Sequence, residues 1–476
     1  MATKYEGRPT LQAVPMLARE TVYVGVDIGK HKHVAGFVSK TLLERHGRFE
    51  ACPAFTFEQS REGFRALIER IQSLVPLTQV YLIFEHTGHY HRALEQYLLE
   101  LDMTVYRIHV QKRPTGLMKT DKRDALGLAN TLYAQLELGV QVADKTQLVR
   151  RAVPASETAA QLRGLTRHRY ELSQESTQRK NKLTSLCDEI FPEMTVLFKD
   201  PNREVALAIR EKFPTPQVIA TASMSALREV RVGRHPSDSK LLELQRLASQ
   251  SIGTKDPARL RGLVFEQHQL VKELRLIQHH IQQLDSEIES IIERSREGQI
   301  LMSMGIGPIS AATSIATIGS IANFEKPSEL RSYFGWAPVE DQTGISRNRT
   351  SLTPRGSRVM KRTMYLITWQ VLRHHDSEWA KLYERLVPRM CAYDERTQAY
   401  VGRGKVLGRI AGQLVGMIYA LLRKDYETLS HLAPGAKPPD PMLYDPEIHR
   451  RHRAGEYRSM KPGTRPRSLI HQVPKA

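Results

Sequence analysis

Between Thr21 and about residue 150, short runs of β-branched and apolar residues alternate with runs whose apolar residues fall at helical spacing, and this alternation leaves few folds open. The run TVYVGVDIGKHKHVAGFV reads as strand, tight turn and strand, with a Gly-Lys pair at the bend. EGFRALIERIQSL reads as a helix, VYLIFEHTG as the continuous apolar run of a buried central strand, and HRALEQYLLELDMTVYRIHV as another helix and strand. Strands that alternate with helices form a sheet covered by those helices. The expectation for residues 21–150 is therefore an α/β domain behind a loose leader, residues 1–20.

The pattern then changes. From Ser156 to about Met194, Leu162, Leu165, Leu172, Leu183 and Leu186 stand among basic and polar residues, as in a long exposed helix. Residues 195–257 mix prolines with short helical fragments and suggest no role. Leu263, Leu270, Ile277, Leu284 and Ile291 recur every seven residues, interleaved with Leu260, Leu274, Ile281 and Ile288, which predicts a coiled-coil seam. Gln267 is the polar interruption and is expected to set register. The seam has to bury against another helix, either the 156–194 helix or the copy in another subunit. Residues 151–298 are thus a helical, coiled-coil spacer. A mostly α-helical block over 299–425 opens with LMSMGIGPISAATSIATIG, and a basic tail, residues 426–476, closes the chain. Its last stretch carries one acidic residue, Glu456, and is expected to stay disordered until it meets phosphate.

Charge narrows the partner. Lys and Arg number 70 against 51 Asp and Glu, a formal net charge of +19 that attracts polyanions. Nucleic acid leads over membrane, because no stretch approaches the ~20 consecutive apolar residues a spanning helix needs. The first twenty residues lack the apolar core of a signal peptide, so a cytoplasmic protein is expected. Cys52, Cys187 and Cys391 are far apart and show neither a disulfide framework nor a zinc motif.

The candidate chemistry is acidic. Asp27 ends the first strand, Glu85 ends VYLIFE, and Asp121 and Asp124 in KTDKRDA lie three apart on one helix face. Phosphodiester chemistry uses convergent carboxylates to hold one or two hard divalent cations against the attacking and leaving oxygens. Each residue alone has an ordinary explanation as a turn cap or an ion-pair partner; their joint placement is the signal. Lys119 and Arg123 beside the pair either contact phosphate or balance local charge. In the C-terminal block, Arg347, Arg349, Arg355, Arg358, Lys361 and Arg362 crowd one loop and helix start, as a phosphate-anchoring group would. The glycine turn of GIGPIS leads into a helix, where Ser310 is either a cap or a hydroxyl with a chemical role.

The strings GVDIGKHKHVAGF, FEHTGHY and KTDKRDALGLA resemble the three acidic motifs of the DEDD-type insertion-sequence transposases of the IS110 family, and KTDKRDA is the most specific of them. The run FEKPSELRSYFGWAPVEDQTGISRNRTSLTPRGSRVMKRTMYLITW is similar to that family's C-terminal transposase domain. The resemblance implies a RuvC-like, RNase H-like fold for the N-terminal domain, Mg2+ on Asp27, Glu85, Asp121 and Asp124, and DNA as the substrate to be cut and rejoined. It further implies a structured guide RNA encoded by the element and a homo-oligomer, dimer or tetramer, with the site assembled from two subunits. In the family a serine of a Ser-Gly pair forms a covalent link to DNA, and the corresponding position here reads Thr343-Gly344. Either Thr343 supplies the hydroxyl, or Ser346 does, or that step is lost, with Ser310 a third candidate. Losing the step would leave a RuvC-like junction endonuclease that uses metal-activated water. An actin-fold kinase reading of VDIG calls for a second DxG and a glycine-rich adenosine loop, and neither stands out. A non-enzymatic, degenerate relative calls for an incomplete acidic set, whereas all four positions are filled.

Overall fold

The computed structural model describes residues 17, 20–85, 88–108, 120–139, 149–230, 232, 236–343, 347–374 and 377–448; the side chains of residue 150 and of residues 340–350 lie outside that description. Lys119, Ser346 and the basic stretch from His449 onward therefore lie outside the described residues. The chain divides into two compact units, Met1–Pro154 and Ala155–Ala476.

The first unit carries strands β1 (Val22–Asp27), β2 (Lys32–Val38), β3 (Ala54–Glu58), β4 (Val80–Glu85), β5 (Thr104–Ile108) and β6 (Val149–Arg151). Its helices are α1 (Lys40–His46), α2 (Arg61–Gln72), α3 (His91–Glu100) and α4 (Asp121–Leu136). The strands form one mixed sheet in the order β3-β2-β1-β4-β5-β6. β1 runs parallel to β4 and β4 to β5, while β2, β3 and β6 are antiparallel to their neighbours. The sheet exists because Val22, Val24, Val26, Leu82, Ile83, Phe84 and Val105 are fully apolar and lose contact with water together. A mixed sheet with helices on its faces fits an α/β RNase H-like fold.

The second unit is largely helical. Its first long helix is α5 (Glu157–Ile190), followed by α6 (Met194–Leu197), α7 (Glu204–Lys212), α8 (Pro216–Thr221), α9 (Met224–Arg228) and α10 (Asp238–Ser249). These short helices pack Phe198, Ile209, Phe213, Ile219, Leu241 and Leu244 into a core with the end of α5. The second long helix, α11 (Pro257–Arg294), lies antiparallel to α5, as their ion pairs show: Arg169–Asp285, Arg179–Glu273 at 3.0 Å, Lys182–Glu266 at 3.2 Å and Arg259–Glu189 at 2.5 Å. The apolar stripe on α11 thus finds a partner within the chain.

Burial along α11 departs from the heptad expectation. Val271 and Ile292 belong to neither heptad series yet are buried, whereas Leu263, Leu270, Leu284 and Ile291 are half-exposed. More than one element covers α11, so its buried face is wider than a two-helix seam. Gln267 shows the reason most plainly. Its side chain accepts from Arg210 Nε of α7 at 2.9 Å and donates to the Arg210 carbonyl at 3.1 Å, so it satisfies a buried arginine rather than facing a copy of itself. The remaining Arg210 nitrogens donate to the Pro201 and Leu183 carbonyls.

The rest of the unit consists of α12 (Arg296–Ser303), α13 (Pro308–Ile318), α14 (Pro327–Tyr333), the ribbon β7 (Pro338–Thr343) and β8 (Arg347–Leu352), α15 (Arg358–Leu372), α16 (Glu378–Met390), the short pair β9 (Ala392–Asp394) and β10 (Ala399–Val401), and α17 (Gly404–Ser430). The helices share one apolar core with the start of α5. α17 is long and apolar enough to cross a membrane by composition, but 61% of its apolar stretch is buried inside the fold, as a core helix requires.

Candidate active site

Sheet register brings the first two carboxylates together. Val26 pairs with Phe84 in the parallel β1–β4 ladder, so the next pair in the same register is Asp27 and Glu85. Paired residues of a parallel ladder point to the same face, and neighbouring strands lie about 4.8 Å apart. That face is the one under α4. Tyr23, two positions before Gly25 and four before Asp27 on the same face of β1, stacks edge-on against Tyr133 of α4 at 5.4 Å and donates its hydroxyl to Glu137 Oε2 at 2.6 Å.

Two glycines set how close the helix comes. A side-chain carbon on Gly25 would overlap the Ala125 carbonyl oxygen and the Ala129 amide of α4, and one on Gly36 of β2 would overlap the Leu126 backbone. Here only glycine lets a helix lie directly on a sheet. Tyr23 at the start of β1 meets the end of α4, and Gly25 meets its middle, so the helix runs antiparallel to the strand. Its first turn, with Asp121 and Asp124, therefore lies at the end of the sheet where Asp27 and Glu85 stand.

The first turn is itself well defined. Thr120 is the N-cap of α4, its hydroxyl accepting from the Arg123 amide at 3.3 Å. Asp121 is exposed and Asp124 is buried, and both sit where the helix dipole favours negative charge. Arg123 reaches Glu50 at 3.4 Å, which assigns it a local charge partner. Among the described residues, no group of three or more His, Cys, Asp and Glu side chains stands close enough to hold a metal ion. The donor set is all oxygen, the kind that hard divalent cations take.

The loops after Asp27 and Glu85 are tied together by side chains that the sequence analysis did not single out. The Gly29 amide donates to His33 Nδ1 at 3.2 Å, so the proton sits on Nε2, which meets Gln59 Oε1. Gln59 Nε2 then donates to the Tyr90 carbonyl at 2.9 Å, and the Gln59 amide donates to the His31 carbonyl. His33 is fully buried beside Phe57 and Phe64, and that burial lowers its pKa. The available signal was a histidine at an inward position of β2, in step with Ala35 and Phe37.

The hydroxyl candidates lie in the second unit. Thr343 is the last residue of β7 and pairs with Arg347 at the end of the ribbon; Ser346 lies outside the described residues. The ribbon base is tightly built. Gly335 and Gly356 both have positive φ, +76° and +99°, and a side-chain carbon on Gly356 would overlap Gly335. Lys361 Nζ donates to the Thr353 carbonyl at 2.6 Å, and the Thr353 amide donates to the Ala337 carbonyl at 2.9 Å. Lys361 thus spends one of its three N–H donors on the ribbon base. Arg355, Arg358 and Arg362 are exposed, and Arg347 and Arg349 stand on β8. Ser310 is neither a cap nor accessible: Gly307 is the N-cap of α13, and Ser310 is buried two residues after Pro308, its carbonyl accepting from Ser314 Oγ at 2.8 Å. The Gly307 amide meets Gln370 Oε1 at 3.4 Å, so this glycine serves a close contact with α15.

Residues 24–192 match the family model of the DEDD-type IS110 transposases, and residues 298–384 match the model described as transposase, IS116/IS110/IS902 family. Together the two span more than half of the chain. The chain belongs to the IS110 family of transposases. Among its relatives, the IS110 insertion-element 43.6 kDa protein of Streptomyces coelicolor is 23% identical over 317 residues, 65% of this chain and 71% of the relative. The IS116 insertion-element 44.8 kDa protein of Streptomyces clavuligerus is 25% identical over 234 residues, 47% of this chain and 57% of that protein. The pilin gene-inverting protein of Moraxella bovis is 24% identical over 337 residues, 69% of this chain and 76% of its own length. The transposase is therefore a DNA-recombining enzyme. Its first matched region contains all four carboxylates, and its second contains Thr343 and the ribbon.

Proposed function

We propose that this transposase cuts and rejoins DNA with a RuvC-like, Mg2+-dependent carboxylate site and a hydroxyl from the ribbon tip, excising, inserting or inverting a mobile segment. What supports the reading is that the β1–β4 register sets Asp27 beside Glu85, while the close approach of α4 puts its first turn, with Asp121 and Asp124, toward the same end of the sheet. Those four carboxylates would hold one or two Mg2+ ions, which when bound supply charge stabilisation to the phosphate under attack. The Thr343 hydroxyl, with Ser346 as the alternative, gives its proton to solvent and bonds to phosphorus, while the bond to the leaving sugar oxygen breaks and that oxygen takes up a proton from solvent to leave as a hydroxyl end. Attack on that link by the hydroxyl end of another strand rejoins DNA and releases the protein. The likeness to a gene-inverting protein supports recombination between two sites rather than simple cutting. The family supports guidance by a structured RNA, assembly of the site from two subunits, and work in the cytoplasm, where the element's DNA lies.

A second reading keeps the carboxylates and replaces the protein hydroxyl with water, as in a junction endonuclease. Threonine in place of the family's serine favours it, because the extra methyl crowds in-line attack.

The deciding experiment gives the enzyme donor and target DNA, the RNA transcribed from its flanking DNA, and Mg2+, then looks for a protein–DNA adduct that survives denaturation. The expected outcome is an adduct that Thr343→Ala abolishes and Ser346→Ala spares, and that Asp121→Asn also abolishes. Free cleaved ends without any adduct would establish the water reading instead.

A further inference from the structure

α15 has a buried face, formed by Met360, Met364, Ile367 and Val371, and an outer face of a different kind. Arg358, Arg362, Tyr365, Trp369 and Arg373 follow one another at intervals of four, three, four and four residues, which aligns them along a single stripe of the helix. Tyr365 is 47% exposed and Trp369 36%, with Leu366 beside them at 47%. The Tyr365 and Trp369 rings meet edge to face at 6.3 Å, and Tyr383 of α16 stands 6.4 Å from Trp369. The arginines of the stripe have no carboxylate partner among the described residues.

Exposed aromatic rings cost solvation unless something covers them, and arginines on the same stripe with no carboxylate partner among the described residues make that something an anion. Aromatic rings interleaved with arginines fit a strand whose bases are unstacked, since each base offers a flat face to a ring while its phosphate lies near a guanidinium. Paired DNA does not fit, because its base faces are already covered by their neighbours. The stripe also has a position that selects the strand. α15 supplies Lys361, which holds the base of the ribbon whose tip carries Thr343, so the helix and the candidate hydroxyl form one piece of structure.

We propose that the Arg358–Arg373 stripe of α15 seats an unpaired DNA strand by base stacking on Tyr365 and Trp369, next to the ribbon that acts on it. The proposal rests on the reading that the ribbon acts on DNA, but a binding measurement tests it without any need for the covalent step.

Trp369 gives a direct signal. Of the three tryptophans, Trp336 and Trp379 are buried at 6% and 1% exposure, so quenching of fluorescence by oligo(dT) reports Trp369. The full chain is titrated with oligo(dT), with a duplex of equal length and with oligo(U), at several salt concentrations. Oligo(dT) is expected to quench, and Trp369→Leu to remove the quenching. Tyr365→Ala and Trp369→Ala are each expected to weaken oligo(dT) binding by roughly 5-fold to 100-fold, leaving duplex affinity and the salt slope unchanged. Arg362→Ala is expected to lower the salt slope by about one. Trp369→Phe, which keeps a ring, is expected to restore most of the affinity, and because both aromatics are exposed their loss leaves the melting temperature near that of the parent.

Four results would overturn the proposal: no quenching, equal losses on oligo(dT) and duplex, tighter binding of oligo(U) than of oligo(dT), or aromatic variants that change only the sedimentation of the protein. The last would make the face a contact between copies. Loss of adduct with oligo(dT) quenching intact would instead count against the covalent reading alone.

Discussion

The carboxylate end of the sheet and the tip of the ribbon belong to the same enzyme but are fixed by different means. Asp27 and Glu85 take their positions from a six-stranded ladder, and Asp121 and Asp124 from a helix pressed onto Gly25 and Gly36. The strand ladder, the helix cap at Thr120 and the His33–Gln59 link all act on one place. Thr343 has two strands beneath it, and what sets the ribbon's direction is a glycine pair and one lysine at its base. Under the proposed function, the carboxylates would need several donors at fixed separations, and redundant support suits that. The proposed hydroxyl would need one approach direction, and a ribbon with a tightly built base suits that.

The comparison breaks first on the carboxylates. Asp27→Asn keeps size and shape but removes one charge, and the expected result is a loss of strand cleavage of roughly a thousandfold, the equivalent of the several kcal/mol a bound cation supplies. Thermal unfolding should change little, since Asp27 ends its strand at partial exposure. If cleavage persists within tenfold, the acidic set is not the catalytic site.

The next largest effect separates the two kinds of support. Gly25→Ala forces α4 off the sheet and should destabilise the first unit by about 3 kcal/mol, the upper part of the range for overpacking, while cleavage and adduct formation fall together. Gly356→Ala meets both a positive φ and the Gly335 backbone. It should leave metal binding by the first unit unchanged and remove the adduct. Equal loss of metal binding in both variants would show that the two regions are not supported independently.

Much of this was legible in the sequence. Alternating periods gave β1, β2, α2, β4, α3 and β5, because one face or both faces of each element are buried and burial writes a period into the residues, whereas the short α1 and the edge strand β3 were not read. The elements that carry the four acidic positions were legible, since Asp27 and Glu85 each end a strand and Asp121 opens a helix with Asp124 in its first turn. Less legible was α11: its stripe resembles a two-helix seam, and only the position of α7 reveals that Gln267 answers Arg210. The surroundings of Lys361 and Ser310 were illegible for a related reason. A sequence shows that a lysine is near arginines and that a serine follows glycine, but not that the lysine turns inward to Thr353 or that the serine's turn is buried.

The link through His33 sharpens the comparison at the level of tens rather than thousands. Gln59→Leu removes the bond to the Tyr90 carbonyl and leaves His33 without its acceptor, so the loops after Asp27 and Glu85 lose their tie. Outer-shell partners of this kind are worth about 10–100-fold in metal affinity. The expected outcome is that loss in Mn2+ affinity, read by calorimetry, partly rescued by Gln59→Asn. A variant that melts earlier yet binds Mn2+ as the parent does would reduce the link to a packing role.

The smallest effect is a pH dependence of the first unit. His33 accepts from the Gly29 amide and is held neutral by burial, which lowers its folded-state pKa below the ordinary 6.5. Phe57, Phe64 and Gln59, the groups packed on it, carry no charge to offset a proton. The unfolded chain therefore binds the proton more readily, so the contribution of His33 is complete above pH 6.5 and is lost as pH falls from there toward the lower folded value. Denaturant unfolding between pH 8 and pH 5 should show stability declining below about pH 6.5 in the parent, and a shallower decline in His33→Asn, which cannot titrate. Ribbon-dependent properties offer the internal control: the Lys361–Thr353 bond lies in the second unit, so changes confined to the first unit would trace the decline to the buried histidine.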